Sequence, residues 1–128
     1  DLVRSRGLGD VYKRQAYCGV VSAGVVSVAG IAFLKGDSKD IIENTLVNGL
    51  ASLSGIVCDG AKPSCAGKIA ISLDGAFMGY KQARLNKNYQ KGDGLVAYSV
   101  DETIRSIGAV AQGMKETDVV ILNEMLKH

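Results

Sequence analysis

The sequence predicts an all-α or nearly all-α fold, and three observations carry that reading. Apolar residues recur at three- and four-residue intervals in several segments. Residues that start and stop helices bracket those segments. No stretch alternates apolar and polar side chains long enough to make a strand.

Residues 16–34 run for 19 positions without a charge, close to the ~20 that a bilayer span requires. Gly19, Ser22, Ala23, Gly24, Ser27, Ala29 and Gly30 fill that stretch with small side chains, which suit close helix packing better than contact with lipid. A buried helix is the expectation, with a membrane span as the weaker reading. Lys35-Gly36 ends it, Gly36 supplying a left-handed turn. Asp37 or Ser38 caps a second helix, in which Ile41, Ile42, Thr45, Leu46, Leu50 and Leu53 recur at helical spacing. Residues 55–63 form a loop with Asp59-Gly60 as its turn. Pro63 then opens a third helix at the position where a missing N–H costs nothing. That helix, 64–85, carries Cys65, Ile69, Leu73, Ala76, Phe77 and Tyr80 along a broad face. Residues 86–98 read as an exposed connection with one short extended piece at 95–98. Ser99 with Glu102 three positions on is a capping box, and the helix it opens has Val100, Ile104, Ile107 and Ala111 on one face. A last helix starts near Thr117-Asp118 and carries Val119, Leu122 and Leu126.

Hydrophobic residues at 47% and charged residues at 22% make a globular composition. Aromatics at 5%, with no Trp, argue against a nucleic-acid reader built on stacked rings. The formal charge of +2 has a local origin: residues 1–15 carry four basic and two acidic side chains, and the remaining 113 carry eleven of each. The basicity therefore gives no support to an anionic partner. Residues 5–15, SRGLGDVYKRQ, resemble the conceptual translation of a transposon-type sequencing adapter. Residues 1–15 are accordingly expected to be a non-native leader, set aside from fold reasoning, with 16–128 a fragment whose N-terminal part is missing.

Histidine is nearly absent, and the single His128 is terminal, so a Ser-His-Asp or Cys-His arrangement within this stretch is implausible. Gly60-Ala61-Lys62-Pro63-Ser64 lacks the glycine frame of a phosphate loop. Acidic residues such as Asp101-Glu102, Glu116 and Asp118 fit helix starts, where the macrodipole favours them. The three cysteines say more. An odd number without a secretory signal argues against a disulfide framework and suits a reducing, cytoplasmic compartment. Cys18, Cys58 and Cys65 are separated by 40 and 7 residues, and two readings stand: three buried thiols acting as small hydrophobes, or thiolates that bind metal or react. Cys58 lies among Asp59, Gly60, Lys62 and Ser64, a polar setting. Cys65 falls in the first turn of a helix, where the helix N-terminus and a nearby Lys62 stabilise a thiolate. Three protein ligands would leave one metal position open, as catalytic sites require.

The segment SGIVCDGAKPSCA, Ser54 to Ala66, resembles the signature of the L-cysteine desulfidase branch of the iron–sulfur L-serine dehydratase alpha-chain superfamily. Cys18 to Gly36 is similar to the family's small-residue helix that begins with a cysteine. Ile41-Ile42-Glu43-Asn44-Thr45-Leu46 resembles its following helix, and Gly113-Met114-Lys115-Glu116-Thr117-Asp118 with Ile121-Leu122 resembles its C-terminal motif. The resemblance implies the C-terminal part of a pyridoxal-phosphate-independent lyase. Such an enzyme eliminates hydrogen sulfide from L-cysteine, or water from L-serine, to give pyruvate and ammonia. It further implies that Cys18, Cys58 and Cys65 hold a [4Fe–4S] cluster, and that the general base lies in the N-terminal portion of the family chain. Asp59, Lys62 and Ser64 are candidates for contacts to the substrate carboxylate or the ligands, with turn and cap chemistry as the plain alternative. Asn44 and Thr45 are weaker candidates. Expected partners are a small amino-acid substrate and the N-terminal part of the same chain, with a homo-oligomer as a further expectation; no nucleic acid and no membrane is expected. The reading from a different class is a non-catalytic helical fragment with structural or zinc-binding cysteines.

Overall fold

Five helices follow one another in the computed structural model, which describes residues 18–128: α1 (Gly19–Leu34), α2 (Lys39–Leu53), α3 (Pro63–Arg84), α4 (Val100–Gln112) and α5 (Lys115–Leu126). No strand occurs among the described residues, as the all-α expectation requires; the leader expected at 1–15 lies outside them. No described helix is long and apolar enough to cross a membrane.

Local chemistry sets the helix ends. At the end of α1, Gly36 takes φ +78°. Its N–H donates to the Phe33 carbonyl at 3.0 Å, and the Asp37 N–H donates to Ala32 at 3.1 Å. These are the paired bonds that satisfy the last carbonyls of a helix through a left-handed residue. α3 ends the same way with Asn86 at φ 54°, the Lys87 N–H reaching the Gln82 carbonyl at 2.8 Å; Asn tolerates that region better than other side chains. Ser38, rather than Asp37, caps α2, its Oγ accepting from the Ile41 N–H at 3.3 Å. Asp37 is engaged elsewhere, accepting from the Tyr80 hydroxyl and lying 3.8 Å from Arg84 Nη1. Ser99 Oγ accepts from the Glu102 N–H at 3.1 Å, the cap expected for α4.

Short connections make α1, α2 and α3 an antiparallel up-down-up group. Its core is Val21, Val25, Val28, Ala32, Leu50, Leu53, Ala76 and Tyr80, extended by Ile107 and Ala111 of α4. At one end of this group the Cys18 N–H donates to the Ile56 carbonyl at 3.0 Å, tying the start of α1 to the segment after α2. At the other end Asp37, Tyr80 and Arg84 join the start of α2 to the last turn of α3.

The buried face of α3 matches the expected one in part: Ala76 and Tyr80 are in the core and Leu73 packs against it, but the rest differs. Ser72, Ala76, Gly79, Tyr80 and Ala83 are buried, while Ile69 and Phe77 are exposed. Backbone proximity chooses this face: a Cβ on Gly79 would lie 2.9 Å from the Gly49 backbone nitrogen, and one on Gly24 would lie 3.2 Å from Ser72 Cβ. Only a row of small side chains lets the three backbones approach so closely. Residues 86–98 are also more than an exposed connection. Val96 is buried with Val47 and Val100, because the segment folds back onto α2, and it does so through turns and not an extended piece. α5 starts two residues earlier than expected, at Lys115, and Val119, Leu122 and Leu126 are exposed.

Ser72 is fully buried, and its hydroxyl has no hydrogen-bond partner among the described residues. A buried hydroxyl without a partner carries an uncompensated desolvation cost. Ser72→Ala keeps the small volume that Gly24 needs and removes that cost, so it should raise stability by about 1 kcal/mol. A urea titration checks this; a midpoint below that of the native sequence contradicts it.

Candidate metal centre

Cys18, Cys58 and Cys65 all stand at the end of the bundle where α1 begins, α2 gives way to its loop and α3 begins. Cys18 occupies the N-cap of α1 and is buried at 4% exposure. Cys58 is exposed in the loop between α2 and α3, and Cys65 is half-buried in the first turn of α3. The Cys65 N–H donates to the Lys62 carbonyl at 2.8 Å, winding the helix from its first residues. All three thiols are free.

The loop that carries Cys58 is fastened by Lys68, a residue the sequence reading passed over. Its Nζ donates to the Val57 carbonyl at 2.8 Å and to Asp59 Oδ1 at 2.6 Å, so the ammonium bonds the residues on both sides of Cys58. The hydrogen bond from Lys68 holds the Asp59 carboxyl below its ordinary value, against the opposing effect of desolvation. Lys68 is raised in turn, first by its bond to Asp59, against the opposing effect of desolvation, with the Asp59 charge adding to the rise. A signal for Lys68 was present in the sequence: it follows Cys65 by three positions, and residues so spaced share a helix face.

The other expected residues are distributed as follows. Asp59 is the partner of Lys68. Lys62 is exposed at the N-cap of α3, and Ser64 is exposed in its first turn. Asn44 Nδ2 donates to the Asp40 carbonyl and the buried Thr45 hydroxyl to the Ile41 carbonyl, so both serve α2 locally. A cleft of about 490 Å³ lies at the opposite end of α2, lined by Asp40, Glu43, Asn44, Tyr89, Lys91 and Tyr98 among others, with no cysteine or histidine in its wall. It is remote from the thiols, and its acidic side chains are Asp40 and Glu43.

Among the described residues no three His, Cys, Asp or Glu side chains are close enough to hold a single metal ion. A cluster asks for less convergence, because each thiolate binds a different iron at a corner of the cluster. In donor chemistry the set fits: three free cysteines stand at one end of the bundle, Cys65 in the first turn of α3 and Cys58 between the two residues that Lys68 bonds, and thiolates are the usual ligands of such clusters. Met125 of α5 reaches this end as well, its Cε 3.3 Å from where a Cβ on Gly60 would stand.

Comparison with known proteins places the chain. A UPF0597 protein of Finegoldia magna is 52% identical over 113 residues, which are 88% of this chain and 27% of that protein. One of Desulfitobacterium hafniense is 52% identical over 112 residues, 87% of this chain and 26% of its own length. One of Treponema denticola is 48% identical over 113 residues, 88% and 26% respectively. The chain thus spans about a quarter of the length of the curated relatives it matches. No solved structure matches it. The serine dehydratase alpha chain family matches over residues 10–123, nearly the whole sequence. The chain belongs to the serine dehydratase alpha chain family.

Proposed function

We propose that this chain is the cluster-binding part of an amino-acid lyase that eliminates hydrogen sulfide from L-cysteine, or water from L-serine, leaving pyruvate and ammonia. Cys18, Cys58 and Cys65 would hold a [4Fe–4S] cluster, and the CDGAKPSC segment favours the cysteine desulfidase branch. The observation that carries the reading is the position of three free thiols at one end of the α1–α3 group, in a chain of the serine dehydratase alpha chain family. When bound, such a cluster supplies a Lewis-acidic iron at the corner without a protein thiolate.

This chain's own residues have narrower tasks. α3 presents Cys65 in its first turn, where the unpaired N–H groups of the helix start favour negative charge. Lys62 and Ser64, both exposed there, offer a cation and a hydroxyl to the carboxylate of an amino acid, as anions are commonly bound at helix starts. Asp59 is committed to Lys68 and serves the loop before any substrate. The general base is assigned to the part of the family chain outside this segment.

Anaerobic reconstitution with iron and sulfide tests the reading. The native sequence should develop the broad visible absorbance of an iron–sulfur chromophore, and Cys58→Ala should lose most of it. A colourless protein that instead retains zinc through the same cysteines supports the alternative of structural thiols and rules the lyase reading out.

A further inference from the structure

We propose that Lys68 is a positioning residue for the cysteine centre: it clamps the loop on both sides of Cys58 and serves as counter-cation to the centre there, with Asp59 setting how much of its charge is felt. The inference rests on the cluster reading above.

The clamp follows from the bonds. One ammonium donates to the Val57 carbonyl at 2.8 Å and to the Asp59 carboxylate at 2.6 Å. Cys58 is therefore fixed between two anchors although it is itself exposed. The same stretch accepts the Cys18 N–H one residue earlier, at Ile56, so Lys68 also sets the register of Cys58 against Cys18. The Lys68 side chain is only 20% exposed, and interactions of a partly buried charge are weakly screened by salt.

The charge role follows from what surrounds that ammonium. Asp59 neutralises it, and its bonds to Val57 and Asp59 place it beside the Cys58 that lies between them. Thiolates holding a cluster would add negative charge at the same place. The reduction potential of a cluster depends on the net charge nearby. Removing the cation and removing its carboxylate partner should then act in opposite directions, although both break one ion pair. A lysine whose only duty is to hold the loop predicts effects of the same sign.

The experiment compares Lys68→Met, Lys68→Arg and Asp59→Asn with the native 128-residue chain. Hydrogen exchange of the Cys18 and Ile56 amides, whose bonds tie the loop to α1 and to the end of α2, is followed on the unloaded protein, and cluster potential after reconstitution. Lys68→Met should speed exchange at these amides at least about tenfold, the loss expected when one charge-assisted bond is removed. Lys68→Arg should restore most of the protection, because a guanidinium can reach both acceptors. The potential should fall in Lys68→Met and rise in Asp59→Asn. Shifts of the same sign, or none, overturn the charge role; unchanged exchange in Lys68→Met overturns the clamp. A native chain that takes up no cluster contradicts the cluster reading and with it the charge role, whereas the exchange result on unloaded protein decides the clamp by itself.

Discussion

Gly79→Ala should destabilise the chain by about 3 kcal/mol, at the upper end of what overpacking costs. Helix propensity alone predicts the opposite sign, since replacing an interior helical glycine with alanine is worth about 1 kcal/mol in favour. The difference lies in what the new methyl meets. It would lie 2.9 Å from the Gly49 backbone nitrogen and 3.1 Å from Asn48 Cβ, so α2 and α3 must separate along their whole contact. Separation also loosens the core of Val25, Leu50 and Ala76 that the approach closes. Gly75→Ala provides the contrast. Its methyl would meet the tip of Leu53, with Cδ2 at 2.7 Å, and a side-chain tip can turn away at a cost of about 1 kcal/mol. Urea titration of the two variants checks the order. A Gly79→Ala chain as stable as the native one means that the two helices are not in backbone contact.

Asn48→Ala should cost a similar amount, about 3 kcal/mol, because it takes the acceptor from the Tyr89 N–H and the donor from Asn88 Oδ1, at about 1–3 kcal/mol for each group left without a partner; the Gly79 carbonyl keeps its bond within α3. Asn48 is fully buried. Its Nδ2 donates to the Gly79 carbonyl and to Asn88 Oδ1, each at 3.1 Å, and its Oδ1 accepts from the Tyr89 N–H at 3.1 Å. One side chain thus joins α2 to α3 and to the segment that follows α3. Ser52 and the Tyr89 hydroxyl, 3.0 Å apart, hold the same segment one turn further along α2. The variant should show a lower urea midpoint together with faster hydrogen exchange at the Tyr89 amide. Unchanged exchange there would mean that the segment is held by Val96 and its apolar neighbours alone.

The parts of this fold that were legible in the sequence are those settled within one turn of chain. Gly36 ends α1, Pro63 begins α3 and Ser99 caps α4, each through contacts spanning a few residues. The face of α3 was legible only in part: Ala76 and Tyr80 are buried as expected, but Ile69 and Phe77, the more hydrophobic side chains, are exposed, while Ser72 and Gly79 are small enough to fit. Packing distance, which only the partner helices determine, overrode hydrophobicity. Asn48 and Lys68 were missed for a related reason. The bonds of Asn48 reach 31 to 41 residues along the chain, and those of Lys68 reach 9 to 11. A polar residue between Leu46-Val47 and Leu50 was a hint of the first, and the three-residue spacing from Cys65 a hint of the second. The three cysteines stand out in the sequence by their motif, and the structure adds that Lys68 bonds the residues on both sides of Cys58.

Iron and acid-labile sulfide counted on the anaerobically reconstituted chain bear most directly on the central claim that Cys18, Cys58 and Cys65 form one centre. The native sequence should carry about four of each per chain, as a [4Fe–4S] cluster requires. Cys18→Ala, Cys58→Ala and Cys65→Ala should each lose most of both, because the remaining thiolates leave two corners without a protein ligand. Equal iron content in the native and all three variant chains, or binding of zinc with no labile sulfide, would contradict the account.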